Sequence, residues 1–154
     1  MKKTVFIMLV LAAVMTSCDK EENKNDDVKT GIASTDYMGI LTVDASSGTF
    51  DTENIKVSYN STEKTDSASI TLYQVKFSPR MPLTLDVTVP GISVKKTDKG
   101  AELTCQRVIP LAMGGEYPNY TVTGLVGEIV DNQLSLSLNF GSTHTSYQGE
   151  AIGQ

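Results

Sequence analysis

The sequence predicts an all-β protein, a single small antiparallel β-barrel of about eight strands, with a β-sandwich as the alternative. Three observations predict this fold class. Apolar and polar residues alternate through most segments after Tyr37. Clusters of Gly, Pro, Asn and Asp separate these segments at short intervals. No segment shows a convincing helical period of 3.6 residues, so helices packed on a sheet are not expected.

Residues 1–17 have the features of a secretory leader. Lys2 and Lys3 give a positive start, and residues 4–15 form an uncharged apolar run. This run is too short to span a bilayer, because a transmembrane helix needs about 20 apolar residues. A plain signal peptide is one interpretation, and the cysteine that follows favours another.

Cys18 and the residues before it resemble the lipobox of bacterial lipoproteins, in the loose form common in Bacteroidetes. The residues that carry this resemblance are Met15, Thr16, Ser17 and Cys18. It implies that residues 1–17 are removed as a lipoprotein signal peptide and that Cys18 carries lipid. Each buried acyl CH₂ contributes about 0.8 kcal/mol, so several chains on one cysteine anchor a protein firmly. Membrane lipid is therefore an expected partner.

Residues 18–36 are predicted to be a flexible, lipidated tether. They are polar and charged and lack periodicity, so they cannot bury enough apolar area to offset their ordering entropy. Residues 19–23, Asp-Lys-Glu-Glu-Asn, resemble the surface-export signal of Bacteroidetes lipoproteins. The expected location is the outer membrane with the domain exposed at the cell surface, and the alternative is a periplasm-facing lipoprotein.

Charge and cysteine content exclude several classes of partner. The chain has 18 acidic and 13 basic residues, a net charge of −5, and loss of Lys2 and Lys3 would make it −7. Nucleic acid is not expected, because phosphates require clustered Lys and Arg. Cys105 has no cysteine left to pair with and shares a strand face with Leu103, which predicts a buried small hydrophobe.

The first three strands are predicted at residues 37–43, 54–59 and 68–77, and the domain is expected to cover residues 37–154. A turn cluster and a polar loop separate these strands, at residues 44–48 and 60–67. The alternation slips by one residue between Leu72 and Tyr73. A slip of one residue exchanges the two faces of a strand, so a β-bulge is expected there.

Three further strands are predicted in the middle of the domain, at residues 83–89, from Ile92 onward, and at residues 102–109. The Pro90-Gly91 pair is interpreted as a turn between the first two of them. Residues 97–100, Thr-Asp-Lys-Gly, are predicted to close a hairpin. A loop is expected over residues 110–119.

The last three strands are predicted at residues 120–130, 134–140 and 144–152. In the first of them Tyr120, Val122, Gly124 and Val126 are in phase. Asp131-Asn132 predicts a tight turn. The strand after that turn is the most clearly amphipathic in the chain, with its apolar face formed by Leu134, Leu136, Leu138 and Phe140.

Several stretches together resemble the calycin-like, or lipocalin-like, β-barrel domain of Bacteroidetes lipoproteins. They are the lipoprotein leader, the Tyr37-x-Gly39-x-Leu41-x-Val43 opening, the Tyr-containing alternation into Phe77, Met81-Pro82 before Leu85-x-Val87-x-Val89-Pro90-Gly91-Ile92, and the hairpin from Tyr120 to Phe140 with Gly124 and Gly127. The resemblance covers residues 37–152. It implies a lipocalin-like barrel and supplies no functional residues.

The expected function is binding of a small apolar molecule or glycan fragment by the barrel or its mouth. Aromatic and Met side chains near strand ends suit such ligands, and the candidates are Tyr37, Tyr59, Tyr73, Met81, Met113, Tyr117 and Tyr120. The alternative is a non-enzymatic interaction or scaffold protein of a cell-surface assembly, or an inhibitor, that uses the outer barrel face and its loops.

Enzymatic, metal and cofactor chemistry are not expected. His144 is the single histidine, no Gly-x-Ser-x-Gly nucleophile motif occurs, and the ligands of a metal site are not clustered. One modification is predicted. The Asp66-Ser67-Ala68 triplet lies in a polar loop and resembles the acceptor pattern of Bacteroidetes O-glycosylation, which would place a glycan on Ser67.

Overall fold

A computed structural model describes residues 32–62 and 66–153, and most of these residues lie in antiparallel strands. The helical element among these residues is a 3₁₀ turn at Pro118–Tyr120. The strands are β1 (Ile32–Ala45), β2 (Gly48–Thr62), β3 (Ser67–Val75), β4 (Leu85–Thr97), β5 (Gly100–Val108), β6 (Leu111–Ala112), β7 (Gly115–Glu116), β8 (Val122–Val130), β9 (Gln133–Phe140) and β10 (Thr143–Ile152).

Eight of these strands close into a barrel. Their order around the sheet is β3-β2-β1-β10-β9-β8-β5-β4, and pairing of β3 with β4 completes the circle. The prediction of a single small antiparallel barrel is therefore confirmed, and the sandwich alternative is wrong. Closure leaves no free edge among these eight strands, so the barrel offers little template for edge-to-edge aggregation.

The remaining strands, β6 and β7, form a small hairpin beside β4. β5 pairs with the second half of β4, with Ser93 opposite Thr104. β6 pairs with the first half of the same strand, with Val87 opposite Ala112. After β5 the chain passes Pro110, and β6 then pairs with the same edge of β4 as β5 does. The sequence predicted a loop in this segment.

The up-and-down connections give the barrel two distinct ends. We define the near end as the one at which β1 begins, where the tight turn at residues 131–132 and the end of β10 also lie. The far end carries the β1–β2 turn, residues 76–84 between β3 and β4, and residues 109–121 between β5 and β8. The longer connections are therefore all at the far end.

The barrel interior is filled by apolar side chains. The inward face of β9 is formed by Leu134, Leu136, Leu138 and Phe140, all buried, as the sequence predicted. Strands on every side contribute further fully buried residues, including Leu41, Val57, Leu72, Val89 and Leu103. Full burial of a Val, Leu or Phe side chain contributes about 1.5–3 kcal/mol, so this interior is the main source of stability.

The chain enters the barrel earlier than predicted, because β1 begins at Ile32 rather than at Tyr37. The polar residues of this stretch continue the ladder with β2, and Asp36 lies opposite Ser58. Hydrogen bonds from Lys56 and then Ser58 hold the pKa of Asp36 below its ordinary value. Pairing partners elsewhere in the chain, not local periodicity, therefore fix the start of the domain. The predicted leader and Cys18 lie outside the described residues.

Three bulges explain the other differences from the predicted strands. The expected bulge after Leu72 is confirmed, but it is centred on Gln74, whose φ is 57°. As a result Val75 points inward and Tyr73 outward. Pro90-Gly91 is a bulge within a continuous β4, not a turn. Gly124, with φ of 60°, shifts β8 so that Val126 faces outward, against the predicted phase.

Candidate ligand groove

A groove of about 700 Å³ runs across the outer face of the barrel. Its side chains come from six consecutive strands of the barrel, β2, β1, β10, β9, β8 and β5. Each of these strands alternates inward and outward residues, and most of the lining belongs to the outward set. Gly127, Leu136 and Tyr147 also border the groove, although Leu136 and Tyr147 are core residues. It therefore lies on the flank of the barrel, separate from the filled interior.

Two cross-strand rows form the groove. In the first, Thr42 pairs with Asp51 on β2 and with Ser146 on β10. The ladder then continues through β9 and β8, so the whole row reads Asp51, Thr42, Ser146, Ser137, Val126. The second row runs parallel to it and reads Ile40, Gln148, Ser135, Glu128, Glu102. The pairing register of the strands therefore places side by side residues that are as far apart in the sequence as Ile40 and Gln148.

The middle of the groove is rich in hydroxyl groups. Thr42, Ser135, Ser137 and Ser146 provide four of them, and Gln148 adds an amide. Two apolar side chains flank this floor, with Ile40 45% exposed and Val126 53% exposed. Small hydroxyl side chains leave space above the sheet and present both hydrogen-bond donors and acceptors. The groove can therefore bind a ligand that carries many polar groups.

Both ends of the groove are acidic. Asp51 lies at the β2 end, where its carboxylate accepts a 2.7 Å hydrogen bond from the hydroxyl of Thr42. Glu128 and Glu102 lie at the other end, directly opposite each other on β8 and β5. Lys95 approaches Glu102 at 3.4 Å from outside the groove. No Lys, Arg or His is among the lining residues.

No protein-family model, curated protein or solved structure matches the chain. The groove and its surroundings therefore carry the functional argument. Sequence reasoning missed the groove residues, because the hydroxyls of β9 are what any solvent-facing strand shows. The one signal available was the unbroken run of small polar residues on the outer face of β9, Ser135 and Ser137, opposite its leucines.

Two of the predicted contact residues lie in the core. Tyr37 and Tyr59 are both buried near the near end of the barrel, where they pack with the interior cluster. Burial raises the pKa of Tyr37 above its ordinary value, since the ionised phenol would lose its hydration. Neither residue reaches the groove, so their contribution is to packing.

Three more of them form an aromatic and sulfur cluster that covers the far end. Tyr117 and Tyr120 stack with ring centroids 5.4 Å apart, and Tyr120 stacks on Phe77 at 4.6 Å. Phe77 also contacts Phe140 at 4.7 Å. Met81 joins the cluster, where its sulfur accepts a 3.5 Å hydrogen bond from the backbone N–H of Phe77. This cluster closes the barrel mouth that the sequence suggested as a ligand entrance.

The last two candidates are on the surface, outside the groove. Tyr73 faces outward on β3, with the ammonium of Lys56 lying 5.3 Å from its ring centroid. Lys56 in turn pairs with Asp36 at 2.8 Å, so Tyr73 belongs to a surface charge network. Met113, at 77% exposure, occupies the turn between β6 and β7 at the far end.

The predicted modification and cysteine sites have definite surroundings. Ser67 begins β3 and is half-buried, and its neighbour Asp66 lies in the turn before it with φ of 47°. Cys105 is half-buried against the core beside Leu103 and carries no disulfide.

The exposed ring of His144 lies 3.2 Å from the Asn139 side-chain oxygen. Within residues 32–62 and 66–153, no group of three His, Cys, Asp or Glu side chains could hold a metal ion.

Proposed function

We propose that this protein is a membrane-anchored, exported lipoprotein whose small barrel binds a glycan fragment in the outer groove. The observation that carries this proposal is the groove itself, which is concave, crosses six strands and is lined by hydroxyl, amide and carboxylate groups. Ligand sites are concave and combine apolar contact with a few convergent polar groups. The groove meets both conditions.

The filled interior argues for the outer face over the barrel lumen. A lipocalin-like site for an apolar molecule needs an open interior, and here leucines and aromatic rings fill that volume while a Phe and Tyr cluster covers the far end. A purely apolar ligand would also leave the hydroxyl, amide and carboxylate groups of the groove without hydrogen-bond partners. A glycan fragment therefore matches the groove better than a small apolar molecule does.

The leader and the fold support the anchored location. The lipobox resemblance assigns a lipid to Cys18, and residues 19–31 separate that cysteine from the start of β1. Up to 13 peptide steps from Cys18 to Gly31 would reach about 45 Å when extended. No helix in the described part of the chain is both long and apolar enough to cross a bilayer. A calycin-like lipoprotein of the outer membrane, with its barrel facing the cell exterior, is the proposal that the leader and the predicted tether support.

Blocking the groove tests the proposed function. Ser137 lies near the centre of the floor and faces outward, so Ser137→Trp would fill the space that a ligand needs. We expect the detergent-solubilised mature lipoprotein to bind oligosaccharides in calorimetric titrations, and the variant to lose this binding. Ser93→Trp is the matched control, since Ser93 is exposed on β4, outside the groove. Equal binding by both variants would contradict a groove site.

A second candidate function is docking of a protein partner at the far end, as an interaction or scaffold component. The observation that favours it is the exposure of Leu83 and Met113, at 69% and 77%, in two connections of that end. Ile109 and Leu111 add partly exposed apolar area in the same stretch as Met113. Crosslinking on intact cells would test it, and a Leu83→Ser, Met113→Ser double variant should lose any crosslinked partner.

A further inference from the structure

We propose that the groove selects a positively charged ligand, an oligosaccharide bearing free amino groups, whose ammonium groups bind the acidic ends. This inference deepens the proposed function and rests on it. The hydroxyl floor suits any sugar chain, so the floor defines the class of ligand. The charges at the two ends then decide which members of that class bind.

The Glu102–Glu128 pair is the first observation. These residues are directly opposite on neighbouring antiparallel strands, where Cβ atoms are about 4.5–5.5 Å apart. Like charges in this position destabilise a sheet. Lys95 offsets only part of the repulsion, because its contact with Glu102 is long and both side chains are exposed to water. A bound ammonium group near Glu128 would remove the remaining repulsion.

The negative charge of the groove is not balanced by basic groups in its lining. Asp51 places another carboxylate at the opposite end of the groove, so negative charge lies at both ends of the polar floor. No lysine, arginine or histidine of the lining can neutralise it. The potentials of such charges add in a concave site and attract cations of matching spacing.

The spacing of the strands gives the length of the ligand. Asp51 is on β2 and Glu128 on β8, four strands apart around the barrel. At about 4.8 Å per strand, the path between them along the curved outer face is about 19 Å. A single sugar cannot reach both ends, whereas a short oligomer can. The site therefore favours an oligosaccharide with amino groups near both of its ends.

The missing aromatic surface explains why charge is needed. Tyr147 is the only aromatic residue of the lining, and its side chain is buried in the core at 1% exposure. No ring is therefore available to cover the apolar face of a sugar, an interaction that contributes much of the buried area in aromatic sites. Hydrogen bonds to charged groups are worth more than neutral ones, so carboxylates can supply the lost affinity.

The test compares two tetrasaccharides that differ only in charge. We expect the detergent-solubilised mature lipoprotein to bind the glucosamine tetramer at low salt and the N-acetylglucosamine tetramer at least about tenfold more weakly, as loss of a charged hydrogen bond predicts. Raising the salt concentration should weaken binding of the charged tetramer only.

Glu128→Gln should weaken ligand binding and at the same time stabilise the fold, a combination that a folding defect would not produce. We expect this variant to lose about tenfold in affinity for the glucosamine tetramer and to unfold at a higher temperature than the wild type without ligand. Glu102→Gln should behave in the same way, which provides a second route if one variant folds poorly. Glu116→Gln, on β7 and outside the groove, should change neither property.

Each outcome distinguishes the inference from the proposed function. Equal affinity for the two tetramers would overturn the charge selection and leave a glycan groove standing. Failure of both tetramers to bind would overturn both proposals. Tighter binding of a tetralysine peptide than of the glucosamine tetramer would also overturn the inference, and would assign the groove to a basic peptide instead.

Discussion

The hydroxyl of Tyr147 donates a 3.1 Å hydrogen bond to the backbone carbonyl of Ile55, 92 positions earlier in the chain. Tyr147 is on β10 and Ile55 on β2, and β1 lies between these strands. Ile55 follows the bulge at which Glu53 and Asn54 oppose a single residue of β1. The tyrosine therefore satisfies a backbone acceptor where the regular ladder is interrupted.

Removing this hydroxyl should destabilise the barrel. Tyr147→Phe leaves the Ile55 carbonyl without this partner in a buried position, so we expect the free energy of unfolding to fall by about 1–2 kcal/mol. Denaturant titration measures the change. Tyr73→Phe is the control, since Tyr73 faces outward and should change stability by less than about 0.5 kcal/mol. An equal loss in both variants would contradict this role of Tyr147.

Gly149 should not tolerate a side chain. A Cβ at this position would overlap the hydroxyl of Tyr147 and lie 2.7 Å from its Cζ atom. Gly149→Ala should therefore lower the free energy of unfolding by about 1–3 kcal/mol through overpacking. Gly115→Ala is the matched control, because nothing lies within 4 Å of its Cβ position and its φ is not positive. Combining Gly149→Ala with Tyr147→Phe should give a non-additive loss, since the two residues are in contact.

The barrel should lose stability in alkaline solution. Burial raises the pKa of Tyr147 and of Tyr37 above the ordinary value of 10.0. Between the unfolded and folded pKa values the unfolded state binds fewer protons, so the free energy of unfolding falls as pH rises. The stabilisation is complete below pH 10 and decreases above it, by at most about 1.4 kcal/mol per pH unit for each tyrosine. Tyr147→Phe should show a shallower decrease when unfolding is followed from pH 9 to 12.

Thr145 should be replaceable by valine without loss. Its hydroxyl is fully buried in the interior and has no hydrogen-bond partner. Thr145→Val keeps the shape and removes the unpaired group, so we expect stability to stay level or rise by about 1–2 kcal/mol. Thr71→Val is the contrasting variant, because Thr71 shares a 2.9 Å hydrogen bond with Thr88 and should lose stability. Thermal unfolding of both variants would decide the point.

Cys18 should determine where the protein is found. If it carries the lipid, Cys18→Ser should move the protein from the membrane fraction to the soluble fraction of the native host. Cys105→Ser is the control and should leave the distribution unchanged, since Cys105 lies against the barrel core. Continued membrane association of the Cys18→Ser protein would contradict the lipid anchor.

The strands were predictable wherever one face is apolar and the other polar. β9 is the best case, because its leucines alternate with serine and asparagine over its whole length. The turn at Asp131-Asn132 was also predictable, since both residues adopt positive φ in a tight hairpin turn. Local sequence decides these elements, and the barrel only adds to their stability.

The bulges and the groove were harder to predict because they depend on partner strands. Pro90-Gly91 has the composition of a turn, yet β3 pairs with Val89 before it and with Ile92 after it and so keeps β4 continuous. Gly124 likewise looks like an ordinary strand residue until its positive φ shifts the phase of β8. The groove requires the register of six strands at once, and composition does not contain that information.

Pairing of β1 with β10 makes the first and last described strands neighbours, with Asp36 opposite Ile152. Ser146 and Gln148, in the middle of the groove, belong to β10. Neither the closed barrel nor its groove can therefore form before β10 has been synthesised and has paired with β1. Because β1 and β10 are neighbours, a linker could join the end of β10 to the start of β1. Cutting the chain at the β1–β2 turn would then give a circularly permuted protein that keeps every strand pair.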